Sequence, residues 1–133
     1  VKAMRMALKD AGIDASEVDY INAHGTSTQY NDKAESDAIN EVFGGRETLH
    51  VSSTKSCTGH LLGAAAGIEM ILCVKALQEQ TMPPTTNLDN VDPECAINHV
   101  RNTAVKKELN YILSNSFGFG GHNVSLLLKR FES

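Results

Sequence analysis

Val18-Asp19-Tyr20-Ile21-Asn22-Ala23-His24-Gly25-Thr26-Ser27-Thr28 is the stretch from which the fold can be read outward. Val18 to Ala23 reads as a short strand that finishes at His24, and a glycine-threonine turn follows. Downstream, Asp32 with Glu35 three residues later resembles a helix N-cap box and predicts a helix from about Lys33 to Phe43. Gly44-Gly45 ends it, and Leu49 to Ser52 is a second short strand candidate. Upstream, Lys2 to Ala11 is amphipathic, with Met4, Met6, Ala7 and Leu8 toward a core and Lys2, Arg5 and Lys9 outward. Gly12 is its stop signal. A chain that starts at Val1, already inside an uncapped helix, reads as cut from something longer.

The next helix is expected from Thr58 or Gly59 to about Gln80. Its apolar residues run almost all the way round through Val74, the pattern of a helix buried on several sides. Gly59, Gly63 and Gly67 recur every four residues, a smooth row that another backbone could approach closely; plain tolerance of glycine is the alternative. Pro83-Pro84 stops the helix. Thr85 to Asn102 reads as an irregular connection with a strand near Ile97. Tyr111 to Ser114 and Val124 to Leu128 flank a glycine loop and suggest an antiparallel pair. The order β-α-β-α-β-β after a leading helix predicts an α/β fold, a mixed sheet covered by helices.

Composition narrows the function. At 133 residues with 41% apolar and 21% charged residues, the chain is one ordinary globular domain with a sizeable core. A net charge of -4 argues against a phosphate-backbone surface, and the lack of Trp argues against a base-stacking platform, so no nucleic acid partner is expected. Cys57, Cys73 and Cys95 are odd in number and widely spaced, which reads as free thiols in a reducing compartment. The longest apolar run, Leu61 to Val74, carries Glu69 and reads as a buried helix rather than a membrane span. With no charged-then-apolar leader visible, the expectation is a cytoplasmic protein without membrane contact.

Three stretches concentrate groups with chemical potential. His24 ends a strand, where α/β folds favour active sites, and a neutral imidazole there can donate Nε2–H to a carbonyl oxygen gaining negative charge. A structural histidine is the alternative. Thr26 and Thr28 beside it could hold a polar substrate arm or merely close the turn. In Ser53-Thr54-Lys55-Ser56-Cys57-Thr58-Gly59-His60, His60 is a second donor at the first turn of the buried helix. Glu69 is a lone carboxylate in that helix and should be paired, with Lys55 the first choice of partner; a polar stripe reaching solvent is the alternative. Cys57 lies near a helix start, a setting that activates thiols, but a small buried residue is the plainer reading. His24, His60, Cys57 and His122 lack the spacing of a zinc site, so no metal is expected. Phe117-Gly118-Phe119-Gly120-Gly121 lies between two strands and so fails the context of a dinucleotide fingerprint. It reads either as a mobile gate whose backbone N–H faces an oxyanion or as a simple hairpin turn.

Taken together, His24-Gly25-Thr26-Ser27-Thr28, Lys55-Ser56-Cys57-Thr58-Gly59-His60-Leu61-Leu62-Gly63-Ala64-Ala65 and Asn115-Ser116-Phe117-Gly118-Phe119-Gly120-Gly121 resemble motifs of the β-ketoacyl-[acyl carrier protein] synthases. The similarity is greatest to the C-terminal half of the bacterial condensing enzyme II type and spans essentially the whole chain, 1–133. The resemblance implies a thiolase-like fold of two similar α/β halves. Its nucleophilic cysteine belongs to the N-terminal half, and Cys57 stands where the family places none. It also implies a decarboxylative Claisen condensation of malonyl-acyl carrier protein with an enzyme-bound acyl thioester. In that scheme His24 and His60 hold the malonyl thioester oxygen, Lys55 is the active-site lysine, and Glu69 supports it. Phe119 gates the acyl pocket and lends its backbone N–H to an oxyanion hole. Thr26 and Thr28 contact the phosphopantetheine arm, and Phe117, Gly118 and Gly120 are carried over as substrate-binding positions of the gate. His122 stands where some relatives have threonine and receives no role. The implied partners are acyl carrier protein, the N-terminal half and a second copy in a homodimer, with no cofactor beyond the phosphopantetheine that carries the substrates. A polyketide-type ketosynthase, a non-catalytic carrier-protein-binding partner and a plain α/β binding domain are the competing classes.

Overall fold

A computed structural model describes residues 1–131. Its helices are α1 (Lys2–Ala11), α2 (Gln29–Phe43), α3 (Lys55–Thr58) and α4 (Ala65–Glu79). Its strands are β1 (Tyr20–Asn22), β2 (His50–Ser52), β3 (Thr81–Met82), β4 (Val105–Lys106), β5 (Tyr111–Phe117) and β6 (Asn123–Lys129). The main sheet has the order β2-β1-β5-β6. β1 is parallel to both neighbours, and β6 returns antiparallel to β5, which makes the sheet mixed, as the element order predicts.

Period-two alternation along the strands builds a core on each face of this sheet. Ile21 and Leu113 are register partners and join Met4, Leu8, Ile39 and Phe43 from α1 and α2. Tyr20 and Ile112, paired one residue earlier, join Cys73, Ala76 and Leu77 from α4 on the other face. Helices therefore cover both sides, and β1 lies centrally with all three residues buried.

Several local expectations change. β1 begins at Tyr20 rather than Val18, and α2 begins four residues early, capped at Thr28. The Asp32–Glu35 box does not form: Asp32 Oδ1 accepts Ser27 N–H at 3.2 Å, while Glu35 turns inward. The long helix after β2 is broken. α3 is a single turn, Gly59 (φ 74°, ψ 174°) and Leu62 (φ 52°) leave the helical region, and α4 starts only at Ala65. His60 thus lies in the link between two helices and not in the first turn of one. α4 buries one stripe, Ala65, Glu69, Cys73, Ala76 and Leu77, while Ile68, Ile71 and Val74 on the opposite side are exposed. A Cβ built on Gly59, Gly63 or Gly67 would meet nothing within 4 Å, so among the described residues no backbone approaches that row. The strand near Ile97 is reduced to an isolated bridge, His99 beside Val51, with Val51 N–H donating to Asn98 C=O at 2.9 Å. This segment covers the β2 edge of the sheet. β3 and β4, which pair antiparallel, carry no signal in the sequence because each has only two residues.

A chain of hydrogen bonds ties β1 to β2 and to Pro83, just past β3. Ser52 Oγ gives its one proton to Pro83 C=O at 2.6 Å, so the Tyr20 hydroxyl must donate to Ser52 Oγ, also at 2.6 Å. Burial pushes the Tyr20 phenol far up, which keeps that proton in place. Tyr20→Phe is expected to cost about 1 kcal/mol. Ser52→Ala is expected to cost more, because it orphans both the phenol and the Pro83 carbonyl. Urea unfolding of the two variants checks the order.

Candidate active site

The C-terminal ends of β1 and β2 point at one region, and the chain turns there twice. After β1, His24 and Gly25 present consecutive backbone N–H groups to the Glu35 carboxylate, Oε1 and Oε2 each at 2.9 Å. Glu35 stands on α2 on the same stripe as Ile39 and Phe43 and is only 4% exposed. Burial pushes its carboxyl above the ordinary value, against the hydrogen bonds that favour the anion. Asn115 Nδ2 donates to the same Oε1 at 3.1 Å, and Ser125 Oγ donates to Asn115 Oδ1 at 2.7 Å. Gly25 is required here: its φ is +42°, and a Cβ would lie 2.5 Å from Ser53 Cβ, whose Oγ donates to Gly25 C=O.

After β2, Thr54 leads into α3, whose first residue is Lys55. Asn22, the last residue of β1, holds Thr54 through Nδ2 to Thr54 Oγ1 at 3.1 Å. Lys55 reaches across to Glu69 on α4 in a hydrogen-bonded ion pair whose side chains are 5% and 2% exposed. This is the partnership that the lone carboxylate in the apolar helix predicts. Glu69 Oε2 is buried and makes no hydrogen bond among the described residues.

The two imidazoles meet at the mouth of this construction. The rings of His24 and His60 lie edge to face, centroids 5.6 Å apart with planes at 88°. The Leu62 amide donates to His60 Nδ1 at 3.1 Å. Nδ1 is thus the acceptor, and Nε2 is the atom that carries a proton outward. The left-handed Leu62 makes this contact possible, so the break in the expected long helix is what orients His60. The Phe117 ring packs on His24 at 5.5 Å. Burial, then the Lys55 cation, then the neighbouring His60 push the His24 imidazole down to about 4.

Other candidate residues are less tightly placed. Thr26 is half-buried and Thr28 exposed, and their hydroxyls hydrogen-bond each other at 2.9 Å. Thr26, Lys55 and His60 line a cleft of about 720 Å³ whose lining does not include His24. Phe119 is fully exposed at the tip of the glycine turn, where Gly118 N–H donates to His122 C=O at 2.9 Å. Cys57 is exposed, with Ser56 and Thr86 hydroxyls as its neighbours rather than an imidazole. Among the described residues no group of three or more His, Cys, Asp and Glu side chains is gathered as a metal would need. Glu35 lies outside the three motifs, and Asn115 opens the third without a role assigned to it. The signal for Glu35 is positional: it falls four and eight residues before Ile39 and Phe43, on an apolar stripe.

Residues 1–89 match the model of the β-ketoacyl synthase C-terminal domain. The chain belongs to that family. It is 49% identical over 132 residues to 3-oxoacyl-[acyl-carrier-protein] synthase 2 of Synechocystis, covering 98% of this chain and 32% of the relative. A β-ketoacyl synthase from Burkholderia phymatum superposes with a TM-score of 0.94 at 42% identity, over 98% of this chain and 32% of that one. A type II PKS ketosynthase solved in complex with its acyl-carrier protein superposes with a TM-score of 0.95 at 36% identity, over 98% and 32%. The domain thus spans about a third of its relatives' length, and its layered sheet is of the thiolase-like kind those ketosynthases share.

Two outcomes follow for this domain. Removing one partner of the buried pair, as in Glu69→Gln, is expected to cost about 3–5 kcal/mol. The double change Lys55→Met with Glu69→Leu is expected to cost less than the single one in denaturant unfolding. For His24, the free imidazole titrates near about 6.5. With a folded value of about 4, the stability tied to the neutral ring is complete above the free value and is lost as pH falls toward the folded one. Its ring NMR signals are therefore expected to show no titration step between about pH 5.5 and 8.

Proposed function

We propose that this domain supplies the decarboxylation and condensation machinery of a β-ketoacyl synthase acting on carrier-protein thioesters. The observation that carries the reading is the convergence of His24 and His60, 5.6 Å apart at a strand end, backed by the buried Lys55–Glu69 pair. A malonyl thioester whose carbonyl oxygen enters between the rings receives a hydrogen bond from each imidazole. Loss of carbon dioxide leaves the bonding electron pair on the α-carbon, delocalised as an enolate onto that oxygen. Donors already aimed at it stabilise the charge without reorganising. The α-carbon then attacks an acyl thioester, a carbon–carbon bond forms, and the acyl-carrying thiolate leaves. Lys55 adds positive potential nearby, although its direct partner is Glu69.

The attacking and departing sulfur is a cysteine outside this chain, in the N-terminal part of the synthase. The exposed apolar side of α4, Ile68, Ile71 and Val74, fits a surface that such a part covers. Phe119 is a gate, and its exposed position on a glycine turn suits a residue that moves when the acyl chain enters. Its backbone N–H serves the oxyanion hole for the acyl carbonyl. Thr26 and Thr28, with Phe117, Gly118 and Gly120, flank the path of the phosphopantetheine arm. No metal or separate cofactor enters this scheme, and the synthase works as a cytoplasmic homodimer. Identity to a 3-oxoacyl-[acyl-carrier-protein] synthase 2 favours fatty-acid elongation, while the likeness to a type II PKS ketosynthase keeps polyketide extension as the second reading.

His24→Ala in the intact synthase is expected to lower malonyl decarboxylation by at least about 10²–10³-fold, the usual effect of losing one oxyanion donor. Cys57 should take up no acyl label from a thioester substrate. Unchanged decarboxylation, or stable labelling of Cys57, would contradict the assignment.

A further inference from the structure

At the end of the sheet away from His24, a second group of titratable side chains gathers with no part in the condensation scheme. Lys107 follows β4, and its Nζ donates to Thr48 C=O and, at 3.2 Å, to Nδ1 of His50, the first residue of β2. Nδ1 also lies 3.1 Å from Thr48 C=O. A proton on Nδ1 would face the ammonium, so that nitrogen holds the lone pair and Nε2 carries the ring proton. Both side chains are half-buried. Among the described residues no carboxylate forms an ion pair with Lys107. Asp19 is the acid in its surroundings, and Asp19 Oδ2 is taken by the Asn110 and Tyr111 amides at 2.6 and 3.0 Å. We infer that Lys107 is an acylation site, a lysine whose amine takes the acyl group of a small acyl thioester with His50 as the proton acceptor.

The surroundings suit a nucleophile better than a structural cation. A neutral amine has two N–H groups and one lone pair. Thr48 C=O and His50 Nδ1 take the two N–H groups, which leaves the lone pair free to face a substrate. In the ammonium form the third N–H has no partner among the described residues. Burial pushes the Lys107 amine below its ordinary value; the Asp19 carboxylate opposes that push and the Arg46 cation reinforces it. Lys33 and Lys75, by contrast, are exposed and face Asp37 and Glu79 at 2.9 and 3.8 Å. The transfer needs no oxidant. The Nζ lone pair attacks the thioester carbonyl carbon, an N–C bond forms, and the C–S bond breaks with its electron pair going to sulfur. The Nζ proton passes to His50 Nδ1 and from there to the departing thiolate, which leaves an amide and a free thiol. The amide nitrogen keeps one N–H for two acceptors, so acylation removes the charge and releases either Thr48 or His50 at the start of β2.

Incubation of the intact synthase with the acetyl thioester of N-acetylcysteamine, followed by peptide mass spectrometry, tests this. Near about pH 8, Lys107 is expected to gain acetyl at least about fivefold faster than Lys33 or Lys75. His50→Ala is expected to slow Lys107 by about fivefold or more while leaving Lys75 unchanged, and Lys107→Arg to remove the product. Should His50→Ala not fold, the pH profile of the wild-type synthase decides, with the Lys107 rate expected to rise at lower pH than the Lys75 rate. Acetylation of Lys107 no faster than that of Lys75 overturns the inference, as does an unchanged rate in folded His50→Ala or coincident pH profiles. None of these readouts involves malonyl decarboxylation, so a failure of the condensation reading leaves them intact.

Discussion

A charge pair sealed between a turn and a helix organises this domain. Lys55 opens α3, three residues past the end of β2, and Glu69 lies in the second turn of α4, so their ion pair fixes where α4 begins relative to the sheet. Neither group could be buried alone without a large desolvation penalty. The six residues between Thr58 and Ala65 must then bridge a fixed gap, and they do so by leaving helical geometry at Gly59 and Leu62. That departure puts the Leu62 amide on His60 Nδ1, and the His60 ring lies edge to face with that of His24. The position of the His60 imidazole therefore depends on a pair of charges it does not touch.

The His24 imidazole is set from the opposite face of the sheet. Odd and even residues of β1 face different layers, with Ile21 toward α1 and α2 and Tyr20 toward α4. The strand ends with Asn22 gripping Thr54 on the α4 side and the following turn gripped by Glu35 on the α2 side. His24 is thus held from both layers, and the same burial that holds it keeps its ring uncharged near neutral pH. An uncharged ring that donates one proton suits a group whose task is to solvate a developing anion without being consumed.

Much of this was legible in the sequence, for identifiable reasons. Strong periodicity gave α1, the central strand, the final antiparallel pair and the mixed α/β layering. Desolvation cost alone pointed to Lys55 as the partner of Glu69, and the three motifs carried the family. What escaped was tertiary. The apolar run from Leu61 to Val74 reads as one continuous helix because local pattern does not register a left-handed Leu62. The same run reads as buried all round because its apolar content does not say which side the described residues cover. Glu35 matched a capping box three residues after Asp32, and only the packed structure shows that its carboxylate serves a different turn. The Gly59, Gly63 and Gly67 row found no backbone against it, so the spacing of glycines did not by itself identify a contact.

The account stands or falls on two rings serving one oxygen. A crystal structure of the intact synthase with a non-decarboxylating malonyl thioester analogue tests this most directly. It should show the thioester oxygen within hydrogen-bond distance, about 3 Å, of Nε2 of both His24 and His60. An oxygen held by neither ring, or by one while the other faces solvent, would contradict it.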